Sequence, residues 1–438
     1  MTLLFDRYRT PILYAVMAAL LLILGFVQSW QVMLAVLNLC LISAVMALGV
    51  NIQWGYAGLF NVGVMGFAAL GGVGTVLTAM PPVPAAWSAG GVNLGLTALM
   101  VVLTLALAIF VRSRLTTLRG PATLIIVFLG YIAMRIFLDP ASQAIEAVNS
   151  ASEGYLGGLG LHVLIGWPVG GAFAAAAAYV IGKIALGLRS DYLAIATLGI
   201  SEIILSVIKN EDWLTRGVKN VTNLPRPVPY ERDLQTSEWL ISLSDWLGTD
   251  PITASTIAVR FSYACLFTVV LVIILWLAQR ALHSPWGRMM RAIRDNRDAA
   301  EAMGKDVSRR HLQVFVLGSA VVGIGGAMLT TLDGQFTPAS YNPLRFTFLI
   351  WVMVIAGGSG NNWGAILGAF LIWYVWVIAE PAGRWLMDVV TAGLDPQSFL
   401  RNHLLEGAAH LRPFLMGMIL LLVLRFAPRG LIPERTGT

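Results

Sequence analysis

The chain has 438 residues, of which 57% are hydrophobic and 12% charged, with a formal net charge of +6. Apolar runs recur from end to end and no polar run is long enough for a large soluble domain, which excludes an ordinary water-soluble protein. The alternating segments of an outer-membrane barrel are missing as well, and the basic excess reports orientation in a lipid bilayer rather than affinity for nucleic acid.

The composition predicts an all-α polytopic membrane protein. Apolar spans fall in order at 11–29, 32–50, 59–79, 93–111, 122–138, 163–186, 191–208, 258–280, 311–332, 346–379 and 412–426. With one of them broken, this pattern predicts about ten to twelve crossings. The first span follows MTLLFDRYRT, which resembles a signal sequence. No small-residue cleavage site comes after it, so it reads as an uncleaved first span. After the second span comes NIQWGYAGLFNVGVMGFAALGGVG (51–74). Its glycines, Gly55, Gly58 and Gly63 among them, allow either tight helix packing or an unwound segment lining a path through the membrane. In the second case Tyr56 and Asn61 supply polar groups at membrane depth.

Charge sets the sidedness of the loops. Arg112, Arg114 and Arg119 form one basic cluster, Lys183 and Arg189 a second, and Arg425, Arg429 and Arg435 a third. The positive-inside rule places all of these, and both termini, in the cytoplasm. Residues 139–160 hold three acids and no Lys or Arg, and belong outside. Residues 209–257 hold seven acids and five bases and are read as an external polar loop. Between these loops, LRGPATLIIVFLG (118–130) resembles LRSDYLAIATLG (188–199), which either hints at an internal repeat or reflects shared composition. Glu202, in ATLGISEIIL, stands well inside a span. A carboxylate there faces a cavity or a partner, as a contact for a substrate ammonium group or as a structural acceptor.

The segment 284–311, SPWGRMMRAIRDNRDAAEAMGKDVSRRH, carries seven Lys/Arg and four Asp/Glu between two apolar spans. Ser284 suits an N-cap, Pro285 the first helical position and Gly304 the position after the end. Arg291–Asp295, Arg294–Asp298 and Arg297–Glu301 are opposite charges four apart. Met289, Ile293, Ala300 and Met303 share a face, with Asn296 among them. Such a helix is too charged to insert and is expected to lie on the cytoplasmic side, offering an apolar stripe to something else. The next span repeats small residues at Ser319, Gly323 and Ala327, a packing stripe.

Residues 380–411 read as external, so 346–379 must enter and leave by the same side. Its middle, GGSGNNWG (357–364), includes Gly357 and Gly358 and predicts a hairpin or re-entrant element rather than one long kinked helix. Enzyme motifs are missing. There is no GxxxxGK[ST] phosphate loop, the five histidines are not spaced as metal pairs, and Cys40 and Cys265 lie in apolar spans. No cofactor is expected, and ATP must be hydrolysed elsewhere if it is used.

These residues resemble a family. SPWGRMMRAIRDNRDAAEAMGKDVSRRHLQVFVLGSAVVGIGGAM is similar to the cytoplasmic loop of bacterial ABC permeases for branched-chain amino acids. Ser284, Pro285, Gly287, Arg288, Arg291, Ala292, Ile293, Arg294, Ala299, Ala300 and Gly304 stand at the family's motif positions. The match continues through GYAG (55–58), GLRSDYLAIATLGISEI (187–203) and IAGGSGNNWGAILGAFL (355–371), and covers roughly residues 30–430. The chain looks like the larger, LivM-type subunit.

The resemblance implies a single transmembrane permease domain over 1–438 in the bacterial inner membrane. It implies two cytoplasmic ABC ATPase subunits, a second homologous permease and a periplasmic substrate-binding protein as partners. It makes 284–311 the coupling-helix loop, with Asn296 and Met303 joining the motif residues on that surface. The substrate-path candidates are Gly55, Tyr56, Gly58, Asn61, Gly63, Thr197, Gly199, Glu202, Gly357 and Gly358. After GYAG the family usually shows Gln-Leu-Ser-Leu-Gly-His; here Leu59, Asn61 and Val64 replace the polar positions. Similar permeases import urea or short amides, which is the alternative substrate class. An ion-coupled secondary transporter built on Glu202 and the broken element is the alternative mechanism.

Overall fold

The structure is a computed structural model describing residues 2–114, 119–149, 153–393, 395, 398–407 and 410–434. Arg435 and the side chain of Arg119, both read above as marks of sidedness, lie outside the described set. The chain is all-α. Among the described residues the only β contacts are two isolated bridges, Pro82 with Gly157 and Val221 with Phe336.

The helices are α1 (Thr2–Val27), α2 (Trp30–Ala57), α3 (Val64–Ala79), α4 (Pro84–Arg114), α5 (Arg119–Ala147), α6 (Val163–Ala185) and α7 (Ser190–Asn210). Short helices α8 (Asp212–Thr215), α9 (Glu231–Gln235) and α10 (Glu238–Leu247) lie in the long polar loop. Then follow α11 (Pro251–His283), α12 (Pro285–Asp295), α13 (Arg297–Ala302), α14 (Val307–Asp333), α15 (Phe348–Gly357), α16 (Asn362–Val390), α17 (Phe399–Gly407) and α18 (Leu411–Phe426). Nine helices among the described residues are long and apolar enough to cross a membrane, or ten if the bent pair α17–α18 counts as one span. Two of the eleven expected apolar segments, 59–79 and 412–426, do not reach this length as helices; the second forms α18, of 16 residues. The segment expected at 59–79 is helical only from Val64, because Gly58 ends α2 in a left-handed conformation at φ +68°. The segment at 346–379 breaks at Gly358–Asn361 into α15 and α16. Pro343–Gly357 is too short, at roughly 1.5 Å per residue, to cross a core of about 30 Å alone. It folds back along α16, so the hairpin is present and the single kinked helix is not.

Helix α2 is the hub. Every residue from Cys40 to Gln53 is buried, as expected of a helix apolar on all faces. It packs on α11, α14, α15 and α16. Ser29 caps its start by accepting from the Val32 amide at 3.1 Å. Around it, α3, α6 and α14 approach backbone to backbone. A Cβ on Gly71 would collide with the carbonyl of Gly323, and one on Gly49 would lie 2.7 Å from the carbonyl of Gly318. Ser319, Gly323 and Ala327 all lie in this seam, and are buried. By contrast, α4 and α5 pack mainly on each other and present Ile109, Phe110, Leu124 and Phe128 outward, as lipid-facing side chains must be.

Two ends are distinguishable. One carries α12, the end of α2, the hairpin turn and the C-terminal segment after α18, and is called here the α12 end. The opposite end carries the bridge of Val221 with Phe336, and Leu156, whose amide donates to the Trp213 carbonyl at 3.0 Å.

Candidate functional site

The polar segment does not form one helix. Ser284 accepts from the Gly287 amide at 3.3 Å and Pro285 opens α12, as the sequence suggests. At Asn296 the backbone is extended (φ −153°, ψ 98°), and its side chain accepts from the Ala299 amide at 3.0 Å to cap α13. Asparagine bonds local backbone better than it continues a helix, so it divides the segment. Gly304, at φ +74°, follows α13.

The break rearranges the expected faces. Arg294 and Asp298 now lie on different helices, and Arg294 pairs instead with Asp295 at 3.1 Å and Glu434 at 2.9 Å. Arg297–Glu301 forms as expected, at 3.0 Å. The apolar stripe is not offered outward as one strip. Gly287, Met290 and Ile293 are buried against this chain's own helices, as is Ala300, whereas Met303 is 79% exposed. Arg288, Ala292, Asn296 and Ala299 are exposed, and Arg291 lines a polar cleft with Glu434, Asn361 and Gln279.

Arg294 reaches inward from this surface. Its guanidinium donates to the Gly55 carbonyl at the end of α2 and to Glu434 of the C-terminal segment. Burial opposes its charge, but the hydrogen bonds and charges of Glu434 and Asp295 outweigh that and raise its pKa above the ordinary arginine value. The C-terminal segment clasps the hairpin turn. The amides of Leu431 and Ile432 donate to the carbonyls of Ala356 and Gly357 at 2.9 and 2.8 Å, and Asn361 donates to the Pro433 carbonyl at 3.1 Å. Gly358 (φ +120°) and Gly360 (φ +82°) take conformations that favour glycine, and a Cβ on Gly358 would collide with the Ile432 carbonyl.

Behind Arg294 lies a closed polar layer. Asn51 donates to Asn362 at 3.0 Å and accepts from the Gly360 amide at 2.8 Å, while the Tyr56 hydroxyl donates to the same Asn362 oxygen. Gln53 donates to Ser319 at 3.0 Å and to the Phe315 carbonyl at 2.9 Å, and accepts from Asn61 at 2.9 Å. Asn61 sits in the unwound linker between α2 and α3. Its carbonyl accepts from Trp351 at 3.1 Å, and its side chain accepts from the Gly63 amide at 2.9 Å. Thr197 ties the linker to α7 by accepting from the Val62 amide at 3.0 Å. Trp54, Phe60 and Trp351 form an aromatic cluster beside it, with centroids 4.6–5.4 Å apart.

The structure thus brings Gly55, Tyr56, Gly58, Asn61, Gly63, Thr197, Gly357 and Gly358 together at the α12 end. It does not bring Gly199 or Glu202 to them; both are exposed on the outer face of α7 with Tyr192, Ile195 and Ile203. The glycine segment divides into an unwound part and a packing part. Gly58–Gly63 is unwound, and Gly66, Gly71 and Gly74 serve packing. Sequence reasoning missed Asn51, Gln53, Asn362 and Glu434. Amides inside an apolar run were the available signal for the first two, and Glu434 had none. On the far side of the closed layer from α12 lies a cavity of about 220 Å³ between α2, α14, α15 and α16. Its residues were also missed.

A family model described as "Branched-chain amino acid transport system / permease component" matches residues 87–424. The chain belongs to this permease family. The permease is 29% identical over 233 residues to the high-affinity branched-chain amino acid transport system permease protein LivM of Escherichia coli K12, covering 52% of this chain and 53% of that protein. It is 25% identical over 307 residues to the probable LivM of Methanocaldococcus jannaschii, covering 68% and 76%. It is 25% identical over 263 residues to the xylose transport system permease protein XylH of Escherichia coli K12, covering 58% and 53%. The permease thus spans about half the length of the Escherichia coli relatives it matches. No solved structure matches it. The resemblance to LivM-type permeases is borne out.

Proposed function

We propose that this chain is one permease subunit of an ATP-driven importer that carries branched-chain or other aliphatic amino acids inward across the bacterial inner membrane by alternating access. The α12 end is the cytoplasmic one in this reading, which the basic clusters support. Of the two ABC ATPases, one docks on α12–α13, a second homologous permease completes the path, and a periplasmic binding protein delivers substrate to the opposite end. ATP hydrolysis belongs to the partners, since no phosphate loop is present in the sequence.

The observation that carries this reading is the Arg294 node. One side chain of α12 bonds the end of α2 and the C-terminal clasp on the hairpin turn, directly outside the closed polar layer. Displacement of α12 by a docked ATPase would pull on the elements that close the path. Glu202 supports the second subunit. A carboxylate exposed to lipid near a span centre costs about 2.5–3.5 kcal/mol on insertion scales, so a protein surface is expected to cover it.

The test is uptake by proteoliposomes containing the whole complex. Leucine uptake should need ATP and be indifferent to an imposed proton or sodium gradient. Arg288→Glu, on the exposed face of α12, and Gly304→Pro should abolish it while the protein remains inserted. Normal uptake by both variants would refute the docking assignment. Gradient-driven uptake without ATPases would establish the ion-coupled mechanism instead, and urea outcompeting leucine would establish the amide class.

A further inference from the structure

The cavity beyond the closed layer has a chemistry of its own. Ile42, Met46, Met65, Leu329, Ile350 and Met353 form its walls. Among the described residues no basic side chain lines it. Its polar groups are Ser43, Ser340 and Asp333, with the Trp373 indole as a further hydrogen-bonding group. Ser43 is engaged, because Trp373 donates to its hydroxyl. Asp333 is exposed at the rim, as the last residue of α14, and pairs with no cation among the described residues. Arg226, which approaches Gly334 next to it, is held by Glu231 at 2.9 Å.

We infer that this cavity binds the transported molecule as a free aliphatic amino acid, with its side chain between the methionines, its ammonium group on Asp333 and its carboxylate turned outward into the water at the mouth. The inference rests on the transport reading above and names its substrate contact. An apolar interior with an acid only at the mouth fits a small molecule that joins an alkyl chain to a cation. A sugar would leave its hydroxyls facing Met and Ile, where unpaired polar groups are costly, and urea would leave the interior unfilled. The negative end of α14 adds to the attraction for an ammonium group. Three methionines, unbranched and adaptable, suit leucine, isoleucine and valine alike.

The full-length permease in lipid nanodiscs tests this without its ATPases. In a Cys265→Ser background, Ser340→Cys places a thiol in the cavity lining, read by its rate of labelling with a hydrophilic maleimide. Millimolar leucine, isoleucine and valine should slow labelling, whereas urea and xylose should not. Asp333→Asn should weaken leucine protection roughly tenfold, the loss of one charge-assisted hydrogen bond. Met46→Trp, checked for an unchanged thermal midpoint, should remove protection by filling the cavity. Absence of protection by leucine, equal protection in Asp333→Asn, or protection by urea or xylose would overturn the site. ATP-driven leucine uptake by the complex is measured in parallel. Uptake that persists without protection overturns the site alone, whereas absent uptake overturns the transport reading.

Discussion

Arg294 illustrates how one side chain serves two purposes at once. Its Nη1 donates to both the Gly55 carbonyl and the Glu434 carboxylate while its Nε donates to Asp295, a spread of donors that a single ammonium does not provide. Glu434 is 18% exposed at its side chain and Arg294 22%, so solvent screens the pair only partly. Glu434→Gln keeps the shape and removes the charge. It should cost about 1 kcal/mol, read as a lower thermal midpoint, and should reduce uptake more than it reduces ATP hydrolysis by the complex. Unchanged uptake per ATP would mean that the clasp is structural only. Arg294 could be singled out from its motif, but its partner could not, because a lone acid in a polar tail has no periodicity to read. Asn296 was misread for a related reason. Helical phase continues through it in the sequence, and only the local bond from the Ala299 amide reveals that it caps rather than continues.

At the scale of elements, hydrophobic pattern located the long helices well because each must satisfy its own backbone in lipid. It failed where glycine decides. The linker 58–63 and the turn at 358–361 both lie inside apolar runs, and positive φ at Gly58 and Gly358 ends the helices there. The hairpin at 346–379 was legible only because charge on the flanking loops demanded an even number of crossings. The seam between α3 and α14 was half legible, since small residues four apart mark one face without naming the face opposite. Gly71→Val should break that seam, because no side chain can shrink to make room for it. Overpacking of this kind costs about 1–3 kcal/mol. Poor recovery from detergent and a lowered midpoint are expected; wild-type stability would show that the helices can separate.

At the scale of the molecule, the residues expected to line a path separate into two groups. Those on α2, the linker and the hairpin converge on the closed layer. Glu202 and Gly199 face away from it on α7. Spacing along one helix could not reveal which way that helix faces, and this is why Glu202 was left open between substrate and structure. In the assembled importer, Glu202→Cys should form a cross-link to the second permease with a short bifunctional reagent, while an exposed lipid-facing position on α5, such as Phe128→Cys, should not. Equal cross-linking at both positions would remove the case for an interface on α7. The direct backbone contact of Gly71 with Gly323 has a mechanical consequence. Helices meeting without intervening side chains have little slack, so α3, α6 and α14 behave as one stiff beam. Because α14 begins a few residues after α13, force applied at α13 is delivered to the whole beam. The compliant joints are then the boundaries of α2 with α15 and α16, and opening is expected there rather than within the beam.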